Sequence, residues 1–153
     1  HGLLTSPLGP LLAYTCLHAV AVVSQNYYLR VHAAMKLVAL GFDTHAIRVL
    51  TDMVVFGRRE GVEVWLAKQE VNPVITANQQ LLHALYLTAG VCDYEVSRCV
   101  IAPALLQRLT STFSPPQITH FITCLYFGEQ LDVLTTYFLP AQFEEEPLEF
   151  LGG

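Results

Sequence analysis

The sequence predicts an all-α protein, a single-domain helical bundle of about six helices. Three observations carry this. Apolar residues recur at three- and four-residue spacing along most of the chain. The one strand-like alternation, Val62-Glu63-Val64-Trp65, is too short to matter. Prolines and glycines fall where helices start and stop, at Pro103, Pro115, Gly41 and Gly90. At 153 residues the chain has the length of one ordinary domain. We divide it into a helical core over 8–140 and an acidic tail over 141–153.

The first helix runs from about Leu11 to Val23, apolar except at Thr15, Cys16 and His18. Ser24-Gln25-Asn26 is a break or a cap. The second runs from about Tyr27 to Leu40 and stops at Gly41, a glycine just past a helix end. Asp43 or Thr44 caps the third, from about His45 to Phe56, whose Ile47, Leu50, Val54 and Val55 keep helical spacing. Gly57 to Val74 holds six of the 21 charged residues and is expected to be a connecting loop with room for one short helix. Thr76 opens a fourth helix through Leu81, Leu82 and Leu85 to Thr88, ended by Gly90. A fifth starts near Pro103 and carries Leu105, Leu106 and Leu109.

The last helix has the clearest start. Ser114-Pro115-Pro116-Gln117 is a capping box with proline in the first turn. The helix continues to about Phe138, and Pro140 ends it. Ile118, Phe121, Ile122 and Leu125 occupy one arc, and Leu131, Leu134 and Phe138 another. A helix apolar on most sides is buried on several of them, centrally or between subunits.

Composition narrows the function. Charged residues make up 14% of the chain, against roughly 25% in an ordinary soluble domain. Hydrophobic residues reach 53%, too many for disorder. The net charge of −5 gives no electrostatic footprint for nucleic acid. Four tail glutamates, Glu144, Glu145, Glu146 and Glu149, account for most of it and read as a solvated end. Neither Leu11 to Val23 nor Ile118 to Phe127 reaches the ~18 apolar residues of a membrane span, and no basic segment precedes the first. Cys16, Cys92, Cys99 and Cys124 are widely spaced, form no C-x-x-C and suit buried reduced thiols in a cytoplasmic protein. The shortage of charge predicts that some surface is hidden in a homo-oligomer.

Chemistry concentrates at the start of the second helix. Tyr28 and His32, four residues apart, share a face; Gln25 lies just before the first turn, and Met35 and Ala39 extend that face. An imidazole that titrates near neutrality, a phenol and an amide beside an apolar lining are the parts of a small pocket. The competing reading makes His32 a packed core histidine and Tyr28 an interface aromatic.

The pattern Tyr28-x3-His32, nine residues before Gly41 and followed by Asp43-Thr44-x2-Ile47, resembles the central motif of the carboxymuconolactone decarboxylase and alkylhydroperoxidase D-like proteins. Leu105-Leu106-x2-Leu109-x3-Phe113-Ser114-x2-Gln117-Ile118 is similar to a later segment of that family. The resemblance spans most of residues 8 to 140 and implies the alkylhydroperoxidase D-like bundle. The departures are specific. Laid on the family's C-x-x-C-x3-H, the cysteines fall on Gln25 and Tyr28, and a glutamate about 19 residues before the histidine falls on Ala13. Laid on E-W-x2-H, the Glu and Trp fall on Tyr28 and Leu29. The spacing to Gly41 is also off by one from the common form. Thiol redox chemistry needs a thiolate and a resolving partner, and neither motif position supplies one. Among the motif residues only the histidine survives.

His32 as general base and Tyr28 as hydrogen-bond donor suit decarboxylation, isomerisation, dehydration or cyclisation without cofactor or metal. The apolar surroundings favour a hydrophobic organic substrate such as a lactone or polyketide. Gln25, His18, Arg30 and Met35 are the expected substrate-binding residues. His18, on the first helix, faces His32 across a helix pair in this reading or is a satisfied core histidine. Arg30 points to another side, toward a substrate carboxylate at a neighbouring subunit or into solvent. The family resemblance implies a trimer or hexamer, with a dimer as the other expectation. A catalytic His32 requires a closed pocket with the imidazole at its wall; a non-catalytic binding or structural protein on the same fold requires that space filled.

Overall fold

Side-chain caps set many of the helix ends. The computed structural model describes residues 7–98 and 100–138. These form α1 (Pro10–Val23), α2 (Tyr27–Ala39), α3 (Thr44–Glu60), α4 (Val62–Glu70), α5 (Pro73–Ala77), α6 (Gln79–Ser97), α7 (Pro103–Thr112) and α8 (Pro115–Phe138), with no strand among them. Asn26 accepts from the Leu29 N–H at 3.1 Å to start α2, and Asp43 from the Ala46 N–H at 2.8 Å to start α3. Asn78 does the same for α6 through Leu81 at 3.1 Å. The capping box of α8 forms: the Ser114 N–H donates to Gln117 Oε1 at 2.8 Å, and the Gln117 N–H to Ser114 Oγ at 3.4 Å. Gly41, past the end of α2, has φ of 109°, a conformation that favours glycine. The acidic tail and Cys99 lie outside the described residues.

The helix count is eight rather than about six, and the excess comes from the polar middle. Gly57 to Val74 is not a loop. α3 runs on through Gly57 to Glu60, then α4 and α5 follow. Burial overrides polarity here. Trp65 and Leu66 are sunk in the core, so α4 is amphipathic in space, with its charges on the outer side. Lys68 pairs with Glu60 at 2.6 Å across the α3–α4 junction. Glu70 accepts from Tyr86 of α6 at 2.7 Å and from Arg108 of α7 at 2.5 Å. Thr76 lies in α5, and α6 begins three residues later than expected.

Gly90 does not end a helix either; it sits in the middle of α6. A Cβ there would lie 2.9 Å from Phe121 Cζ and 3.3 Å from Leu109 Cδ1. The glycine lets the α8 ring seat directly on the α6 backbone. Gly128 on α8 plays the same part against α1, where a Cβ would lie 3.2 Å from both methyls of Val20.

α1 is the centre of the bundle, packed against α2, α6, α8 and the edge of α3. Thr15 through Ala21 are all buried. Leu37, Leu50, Met53, Leu66, Leu85, Leu87, Leu105, Leu109 and Phe121 complete one continuous core. Each such side chain contributes roughly 1.5–3 kcal/mol of burial. α8 is buried on one face only, through Phe121, Cys124 and Leu125. Ile122 of that expected arc and Leu134 of the other are exposed within one chain.

Candidate functional site

The turn between α1 and α2 creates the local geometry. Ser24 donates to the Val20 carbonyl at 2.8 Å, and Gln25 takes a left-handed conformation with φ of 57°. That bend points the chain back and hands the start of α2 to Asn26. Asn26 is buried, and its Nδ2 donates to Asp132 Oδ1 at 2.8 Å and Thr135 Oγ1 at 2.7 Å on α8. A cap and an inter-helix clamp thus share one side chain. The cap was readable as an asparagine ahead of a helix; the clamp to a segment more than a hundred residues away was not.

Of the expected site residues, Tyr28 and His32 do meet. Their ring centroids are 4.4 Å apart, tilted by 49°. The pair lies on the outer side of α2. His32 is exposed and Met35 is 50% exposed. The closed pocket expected around His32 is therefore not formed by one chain. Gln25 is exposed in the turn just before α2, as its position in the sequence implied. Arg30 places its guanidinium 5.8 Å from the Tyr27 ring, and its Nε is buried without a hydrogen-bond partner.

His18 belongs to a different place. It is fully buried, and Nε2 lies 3.2 Å from Thr51 Oγ1 on α3. Thr51 donates its own proton to the Ile47 carbonyl at 3.0 Å. Its oxygen is then available to accept from the His18 ring. Nδ1 is buried with no hydrogen-bond partner. Burial, and next the Arg30 guanidinium, push the imidazole down to about 4, partly opposed by the Arg30 main chain. His18 is a neutral histidine inside the bundle and does not face Tyr28 and His32 from across a cleft. His18 and Arg30 form an inner polar junction of α1, α2 and α3; Tyr28 and His32 form an outer pair.

The thiols stay protonated. Cys16, Cys92 and Cys124 are free and buried. Burial first of all raises them, Cys92 to about 12 and Cys124 to about 11. Among the described residues no three His, Cys, Asp or Glu side chains converge as a metal site would require, and no helix is long and apolar enough to cross a membrane.

A further opening lies at the other end of α2. It has a volume of about 410 Å3 and is lined by Leu8, Leu11, Leu12, Leu40, Gln80 and His83 among others. Periodicity carries no sign of it, because its walls come from three separate helices and the segment before the first.

No protein-family model matches the chain, and no curated protein or solved structure matches it.

Proposed function

We propose that this chain is a self-associating helical subunit that performs cofactor-free acid–base chemistry at Tyr28 and His32 on a hydrophobic organic molecule such as a lactone or polyketide. The observation that carries the reading is the tilted ring pair, with centroids 4.4 Å apart on the open side of α2. An imidazole there can take a proton from an acidic carbon and return it. A phenol beside it can donate to a developing enolate oxygen. The resemblance to carboxymuconolactone decarboxylases supports decarboxylation, isomerisation, dehydration or cyclisation as the reaction class.

An open helix face is a poor place for such chemistry, because water screens charge and competes for every hydrogen bond. A second copy seated over α2 would remove that water. Met35 offers apolar surface for it on the side of His32, and Tyr27 and Val38 add exposed apolar area elsewhere on the helix. The high thiol pKa values of the described cysteines argue against a peroxidase on this fold.

The test is turnover. A panel of β-keto acids and unsaturated lactones is offered to the full chain, to His32→Ala and to Tyr28→Phe. His32 is exposed, so His32→Ala leaves the fold intact. Turnover in the wild type that falls by about 10²- to 10⁴-fold in His32→Ala supports the proposal. A second reading, a non-catalytic assembly on the same fold, is favoured by the exposure of His32 and Met35. An oligomer with no turnover in any of the three proteins would establish it and reject the first.

A further inference from the structure

We infer that the cleft at the far end of α2 binds an apolar molecule that ends in a carboxylate. The site is separate from Tyr28 and His32 and does not rest on their having a catalytic role. Leu40, at the C-terminal cap of α2, forms one wall. Leu8 and the first turn of α1, with Leu11 and Leu12, form the next. Gln80 and His83 of α6 close it. Its volume of about 410 Å3 lies within the ~300–1,000 Å3 common for small-molecule sites.

Four leucines favour a hydrocarbon body. The polar groups decide what its head must be. Gln80 brings an amide and His83 an imidazole, and both can donate. His83 is held in place by the Phe113 ring, edge-on at 5.4 Å. α1 begins at Pro10 with no side-chain cap, so the N–H groups of Leu11 and Leu12 have no partner inside the helix. The first turns of α1 and of the 19-residue α6 both border the cleft, and both carry partial positive charge. No Asp or Glu is among the described residues that line it. Donors from the uncapped start of α1, an imidazole and an amide, with no acidic residue in the wall, match an anionic acceptor on an apolar chain. A neutral alcohol would use the leucines and leave most of these donors without a charged partner.

Octanoate and octanol separate the two contributions, because they share the chain and differ in the head. Backbone amide and imidazole NMR on the full chain reads where each one binds. Octanoate is expected to shift His83 and the Leu11 and Leu12 amides saturably, and octanol to bind about tenfold more weakly, the difference made by charge at two helix starts. Gln80→Glu then tests the anion site without endangering the fold. Gln80 is exposed in the first turn of α6, where an acidic residue favours the helix. The variant is expected to lose about tenfold in octanoate affinity, to keep its octanol affinity and to melt no lower than wild type. Leu40→Trp, at a partly exposed wall, is expected to weaken both ligands. Equal affinity for octanoate and octanol would overturn the proposal, as would octanoate binding unchanged in Gln80→Glu. Shifts centred on His32 instead of His83 would also overturn it.

Discussion

Two histidines fourteen residues apart, on either side of one turn, meet opposite conditions. His18 is sealed against Thr51 and Arg30, while His32 leans on Tyr28 in the open. The seal makes His18 a pH-dependent element of stability. Its ordinary value is 6.5 and its folded value about 4. Between those values the unfolded chain binds the proton and the folded chain does not. Stability therefore rises with pH in that window, is fully present above about 6.5 and is lost as pH falls toward 4. The loss from this one group is on the order of 3 kcal/mol. Urea unfolding at pH 7 and pH 4.5 checks it: His18→Leu should show a smaller drop between the two than wild type. An equal drop would mean that carboxylates alone set the acid limit.

The elements are held by close approach as much as by side-chain volume. Phe121 of α8 rests on the bare backbone at Gly90 of α6, and Val20 of α1 rests on Gly128 of α8. Gly90→Ala forces a methyl to within 2.9 Å of an aromatic ring that is 1% exposed and has nowhere to go. The gain in helix propensity, about 1 kcal/mol at most, is outweighed by overpacking of ~1–3 kcal/mol or more. Thermal unfolding should place Gly90→Ala below wild type, and Phe121→Leu in the same chain should restore part of the loss. If Gly90→Ala is more stable, the two helices can separate more easily than their packing implies. The same logic explains why Gly90 misleads as a stop. A glycine within an apolar run marks a helix end or a close contact, and only the partner surface tells them apart.

At the scale of the molecule, the low charge becomes a statement about surface. α8 has only Glu129 and Asp132 as charged residues over its 24 positions. Ile122, Tyr126, Val133 and Tyr137 fall on one stripe of it, and all are exposed. Monomers rarely leave such a stripe uncovered. The full chain should sediment as more than one copy at micromolar concentration, and Tyr126→Lys with Val133→Lys should shift it toward a single copy with its helix content kept. A wild type that sediments as one copy would remove the support that self-association lends to a site at Tyr28 and His32.

Helix class, most helix starts and the Tyr28–His32 contact were legible in the sequence, because each depends on residues no more than four apart. Asn26, Asp43 and the Ser114–Gln117 box act on N–H groups in their own first turn, and a phenol four residues before an imidazole must share its face. The tertiary structure alone decided where those faces point. It extended α3 through Gly57 and made helices of a charged stretch, since Trp65 and Leu66 found a core that the linear pattern did not display. It buried His18 and left His32 outside, since the side of α2 that meets α1 is fixed by the turn at Gln25 and the Asn26 clamp to α8. Periodicity tells which residues travel together around a helix. Which set is covered depends on neighbours distant in the chain, whose closeness is set by the packing of the whole core.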